Sequence, residues 1–134
     1  MKEVLLQTEK RFGRINGVIH AAGVTGEKAF RTIAETNQEE CEEQFRPKVQ
    51  GLYVLSRLLK QKELDFCMLF SSLSAVLGGL GFVSYSAANI FMDVFAQKQN
   101  RSSKFPWITV NWDGWLFKEI EQPGSISNHL LEFA

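Results

Sequence analysis

Three short runs of nearly continuous apolar character punctuate the chain: INGVIHAAG (Ile15–Gly23), FCMLFSS (Phe66–Ser72) and WITVNWDGW (Trp107–Trp115). Unbroken apolar runs of this length predict strands of a parallel sheet covered on both faces by helices. Between them the period lengthens. A helix is predicted from about Asn37 to Gln61, with Asn37 as N-cap, glutamates 39, 40, 42 and 43 in the opening turns, and Leu52, Leu55 and Leu59 on its apolar face. Pro47 lies inside it and should kink or restart it, having no N–H to give. A second helix is predicted from near Ser84, with Ala88, Phe91 and Phe95 on one face and an end at the polar QKQNRSSK before Pro106. A shorter helix is predicted over Glu3–Arg11, and LFKEIEQPGSISNHLLEFA reads as a loop followed by the start of another helix. The order helix, strand, helix, strand, helix, strand predicts an α/β fold with right-handed crossovers.

Composition adds exclusions. The 134 residues, 45% hydrophobic and 22% charged, fit one ordinary globular domain. Fifteen basic residues balance fifteen acidic ones, and no basic cluster is interleaved with aromatics, so neither nucleic acid nor a membrane surface is an expected partner. The start, MKEVLLQTEKRFGR, is amphipathic and charged rather than a signal peptide, and no apolar run approaches membrane length. Cys41 and Cys67 lack metal-ligand spacing and read as reduced structural thiols of a cytoplasmic protein.

The candidate chemistry clusters around FSSLSAVLGGLGFVSYSAAN (Phe70–Asn89). Tyr85 and Asn89 are four apart and share a helix face. Ser72 ends the preceding strand, where ligands bind in open α/β sheets. Taken singly, each hydroxyl reads equally as a cap or an edge hydrogen bond. Lys48 lies on the apolar stripe of its helix, three, four and seven residues before Gly51, Leu52 and Leu55. It either snorkels to solvent or turns inward as a buried ammonium, which favours ionisation of a nearby phenol. Gly78, Gly79 and Gly81 do not form a phosphate-binding G-x-G-x-x-G turn; they suit a loop that bends over a substrate.

The blocks GVIHAAG, RPKVQGLYVL, FCMLFSSLSAVLGGLGFVSYSAAN and ITVNWDGW, in order from Phe12 to Trp115, together resemble the ketoreductase domain of modular polyketide synthases, a branch of the short-chain dehydrogenase/reductase family. The resemblance implies a Rossmann-like, doubly wound parallel sheet, here truncated to about three strands and three to four helices. It implies NADPH-dependent reduction of a β-ketoacyl thioester, held on an acyl carrier protein, to the β-hydroxyacyl product. Tyr85 would donate the proton, Ser72 would hydrogen-bond the ketone oxygen, Lys48 would ease Tyr85 ionisation and contact the cofactor ribose, and Asn89 would support the proton relay. Ala22 and Gly23 of the HAAG turn would lie beside the cofactor, with His20 structural. In most of the wider family the lysine sits four after the tyrosine; here Asn89 holds that position and the lysine comes from the preceding helix, as in the polyketide branch.

Two markers of product stereochemistry are missing from their family positions: VTGEK replaces a Leu-Asp-Asp triplet, and Leu77 replaces a tryptophan. The resemblance also implies that residues 1–134 are a partial domain, starting just before the parent fold's fourth strand and lacking the N-terminal cofactor-binding half and the final strand. Such a chain is expected to bind NADPH poorly alone and to need the remaining ketoreductase half or neighbouring synthase domains. The alternatives are a stand-alone short-chain reductase of a small ketone, and a non-catalytic remnant or fragment that completes another polypeptide's sheet.

Overall fold

The computed structural model describes residues 1–24 and 31–114. Most of VTGEK, Trp115 and the expected closing loop and helix lie outside the described residues. Helix α1 (Lys2–Phe12) leads to strand β1 (Gly17–His20), then helix α2 (Gln38–Phe45) and a wide π turn (Arg46–Gln50), which continues into α3 (Gly51–Leu59). Strand β2 (Phe66–Ser72), the short α4 (Ser74–Leu77), α5 (Val83–Gln99) and β3 (Trp107–Trp112) complete the order. The strands form one parallel sheet in the order β1-β2-β3, with Gly17 opposite Phe66 and Cys67 opposite Trp107. This is a truncated Rossmann-like α/β fold.

The predicted N-cap is present, with Asn37 accepting from the Glu40 N–H at 3.0 Å. At Pro47 the predicted helix divides as expected, into α2 ending at Phe45 and α3 starting at Gly51, with the wide π turn between them. The missing proline N–H and the crowding of its ring are absorbed by one widened turn, in which the Gly51 N–H reaches back to the Arg46 carbonyl. The predicted apolar faces then meet. Leu52, Leu55 and Leu59 of α3 pack with Met92, Phe95 and Ala96 of α5 over Cys67, Leu69 and Trp107 of the sheet. Each fully buried leucine there contributes about 1.5–3 kcal/mol relative to exposure. Burial in that core pushes the Cys67 thiol up to about 12, leaving it protonated and inert.

Double coverage of the sheet is not seen among the described residues. Along β2, buried Cys67, Leu69 and Ser71 alternate with half-buried Phe66, Met68, Phe70 and Ser72. Ile19, Met68 and Ile108 are neighbours in register, and Ile19 is 57% exposed. The reason is that α3 and α5, and Leu5 of α1, all join the core on the opposite face. No helix among the described residues is long and apolar enough to cross a membrane.

Candidate active site

The C-terminal end of β2 is where the candidate residues gather. Leu73 donates its N–H to the Trp112 carbonyl, closing the strand pair, and the chain turns at once into α4. Ser72 Oγ accepts the Ser74 N–H at 3.2 Å. That bond uses the oxygen as an acceptor, and a hydroxyl can also donate its hydrogen. Gly78, Gly79 and Gly81, all at positive φ, then carry the chain back to α5, where the Phe82 ring lies 5.9 Å from that of Tyr85.

Tyr85 stands in the first turn of α5, as the sequence predicts, and Asn89 one turn on. Asn89 is fully buried and donates through Nδ2 to the Tyr85 carbonyl at 2.9 Å. Its Oδ1 is buried without a hydrogen-bond partner among the described residues. Ser71, the adjacent hydroxyl, is turned into the core, where its Oγ donates to the Asn89 carbonyl at 3.4 Å.

Lys48 does not snorkel. It is 5% exposed, and its ammonium donates to the Phe70 carbonyl at 3.1 Å while lying 5.7 Å from the centre of the Tyr85 ring. Burial lowers its pKa to about 8, and the Asp93 carboxylate pulls in the other direction. Gly23 lies against the lysine stem, and a Cβ there would come within 3.2 Å of Lys48 Cε. The structure thus joins Lys48, Tyr85, Asn89 and Gly23 around the end of β2, and Ser72 is the last residue of that strand. Ala22 is exposed in the turn before Gly23.

Asp93 is not singled out in the sequence, and His20 reads there as structural without a partner. Asp93 lies four residues beyond Asn89, and its Oδ2 accepts from Asn111 Nδ2 of β3 at 3.4 Å. Its spacing at one more helical turn is a signal that could have found it. His20 Nε2 meets the Pro47 carbonyl at 3.2 Å, a contact between distant segments for which the sequence carries no signal. Burial lowers the His20 pKa, the Pro47 carbonyl partly offsets that, and the Lys48 charge lowers it further.

A family model described as KR domain matches residues 1–116. The chain belongs to the KR domain family. Among curated relatives, polyketide synthase PksN of Bacillus subtilis (strain 168) is 38% identical over 131 residues, covering 94% of this chain and 2% of PksN. The 6-methylsalicylic acid synthase of Aspergillus terreus (strain NIH 2624 / FGSC A1156) is 35% identical over 101 residues, covering 75% of this chain and 5% of the synthase. A solved ketoreductase domain from the bacillaene assembly line superimposes with a TM-score of 0.79 at 34% identity, covering 98% of this chain and 32% of that one. An N-terminal ketoreductase from the macrolactin assembly line gives 0.77 at 33% identity, covering 85% and 23%. The KR segment described here therefore spans a few per cent of the length of the synthases and a quarter to a third of the solved chains.

Proposed function

We propose that this chain carries the catalytic residues of an NADPH-dependent reductase that converts a β-ketoacyl thioester, held on an acyl carrier protein, to the β-hydroxyacyl product within a cytoplasmic polyketide-type synthase. The observation that carries this reading is the buried Lys48 ammonium, brought from the helix before β2 to within 5.7 Å of the Tyr85 ring centre. KR family membership and the polyketide synthase relatives support the substrate class.

The residues present fit a nicotinamide cofactor. Only a glycine at position 23 keeps the space beside Lys48 open. Lys48 spends one donor on Phe70 and keeps others for ribose hydroxyls. Ala22, Gly23, Lys48 and Tyr85 would hold the reactive end, and the remainder of a ketoreductase domain would supply the glycine-rich turn for the phosphates. When bound, NADPH supplies the hydride that reduces the carbonyl carbon.

The chain's own residues manage the oxygen. Ser72 donates its free hydroxyl hydrogen to the ketone oxygen and holds the carbonyl in place. Tyr85 gives that oxygen a proton as the carbon is reduced, which completes the alcohol and leaves a phenolate. The Lys48 ammonium stabilises that negative charge at short range in a site of low polarity. Asn89 holds the opening turn of α5 through the Tyr85 carbonyl, and its unpartnered Oδ1 offers an acceptor to the relay that reprotonates the phenol.

The test is NADPH oxidation by the polypeptide that carries this chain, with a β-ketoacyl thioester on an acyl carrier protein. Tyr85→Phe removes one oxygen and should cut kcat by about 10²–10⁴-fold with the fold intact. Turnover that survives this change would overturn the assignment and favour a sheet-completing role.

A further inference from the structure

The residue directly before Lys48 is tied to a different strand from Lys48 itself. Lys48 reaches β2 through the Phe70 carbonyl, whereas the Pro47 carbonyl accepts from His20 Nε2, at the end of β1, at 3.2 Å. A carbonyl can only accept, so the ring carries its hydrogen on Nε2. His20 is buried and lies in register with Leu69, on the sheet face covered by the helices. A Cβ added at Gly51, just past the π turn, would sit 4.0 Å from the ring's Cε1.

The π turn is the part that needs holding. Reaching back five residues is rare and less favourable than the ordinary four-residue reach, and such turns recur where a side chain must be aimed. Pro47 creates the need for the wide turn, and the sequence offers no second device to fix its width. The His20 bond ties it to the sheet one residue from the lysine.

We propose that His20 is a positioning residue: by holding the Pro47 carbonyl it fixes the wide turn that presents the Lys48 ammonium to Phe70 and to the Tyr85 ring. This rests on the function proposed above, and it deepens that reading by giving the geometry of the lysine a cause outside its own helix. The charged and titratable groups facing Lys48 are Asp93 and Tyr85 of α5 and His20 of β1. Without the clamp, the width of the turn is no longer fixed and the ammonium swings out of its buried seat towards water.

The test uses three substitutions in the full polypeptide, read by turnover and by trace acetylation of Lys48 against pH, followed by peptide mass spectrometry. Glutamine can place an amide N–H near the position of His20 Nε2; asparagine is a methylene too short; methionine fills the space without a donor. His20→Met and His20→Asn should lower kcat roughly tenfold, the scale of one lost hydrogen bond, with KM within about twofold. Both should raise the acetylation midpoint of Lys48 from about 8 towards the ordinary lysine value of 10.5. His20→Gln should restore both readouts. Equal midpoints and turnover for the asparagine and glutamine variants overturn the proposal, and that pair decides if the methionine variant fails to fold. Acetylation needs no turnover, so a midpoint that shifts while Tyr85→Phe stays active separates a correct clamp from a wrong reaction.

Discussion

The Lys48 ammonium lies 5.7 Å from the centre of the Tyr85 ring, and it arrives there from the helix that precedes the strand, not from the turn of α5 that follows the tyrosine. The place one turn beyond Tyr85 is taken by Asn89, fully buried and bonded back to the Tyr85 carbonyl. Charge and helix support therefore come from separate elements, so each can be altered with the other left standing.

Lys48→Met keeps the length of the apolar stem and removes the ammonium. Turnover should fall about 10²–10³-fold, because the phenolate formed at Tyr85 loses its counter-charge. Thermal stability should stay level or rise, since a buried ammonium with a depressed pKa is a burden on the fold. A melting temperature that drops with the substitution would show instead that the lysine is there for stability.

Much of this arrangement was legible in the sequence. Strand β2 ends where FCMLFSS ends because a continuous apolar run stops at two hydroxyls. The Leu52, Leu55 and Leu59 stripe and the Tyr85–Asn89 pair follow from helical spacing alone. The direction of Lys48 was not legible, because an inward and a snorkelling lysine have the same spacing; the π turn and the Phe70 carbonyl decide between them. Helix α4 was hidden in a glycine-rich stretch, where the Ser72 hydroxyl and the Leu73 carbonyl start a turn that composition does not announce. Which sheet face the described helices cover was not legible either, since apolar strands look alike whether one or both faces are covered.

The pH dependence follows from the lysine. Below about 8 Lys48 is charged and, under the proposed function, would support the phenolate; above it the proton leaves, so turnover should decline on the alkaline side. Stability moves the other way. Between about 8 and 10.5 the unfolded chain holds a proton that the folded one has released, so unfolding free energy should rise with pH across that window. Asp93→Asn removes the charge that raises the Lys48 pKa, and the alkaline limb of kcat/KM should move to lower pH. A limb that moves upward would mean Asp93 does not act on Lys48.

Gly79→Ala should disturb the site from a distance. Gly79 has φ 152°, a conformation that strains any residue with a side chain, and a Cβ there would run into the Phe82 ring. Displacing Phe82 disturbs its packing on Tyr85, 5.9 Å away. The strain costs about 1–3 kcal/mol, and kcat should fall with it. Denaturant unfolding alongside turnover checks both, and an alanine variant with unchanged kcat would uncouple the loop from the tyrosine.

Adjacent serines at the end of β2 should behave differently. Ser71 Oγ is buried and satisfies the Asn89 carbonyl, so Ser71→Ala should cost about 1 kcal/mol of stability and leave turnover within a few-fold. Ser72 Oγ accepts the Ser74 N–H, and under the proposed function its hydroxyl hydrogen goes to the ketone oxygen. Ser72→Ala should therefore lower kcat about a hundredfold for a similar small loss of stability, and Ser72→Thr, which keeps the hydroxyl, should recover most of it. Paired measurements of kcat and unfolding free energy distinguish the two positions. If Ser71→Ala proved the inactive one, the role assigned to Ser72 would fall.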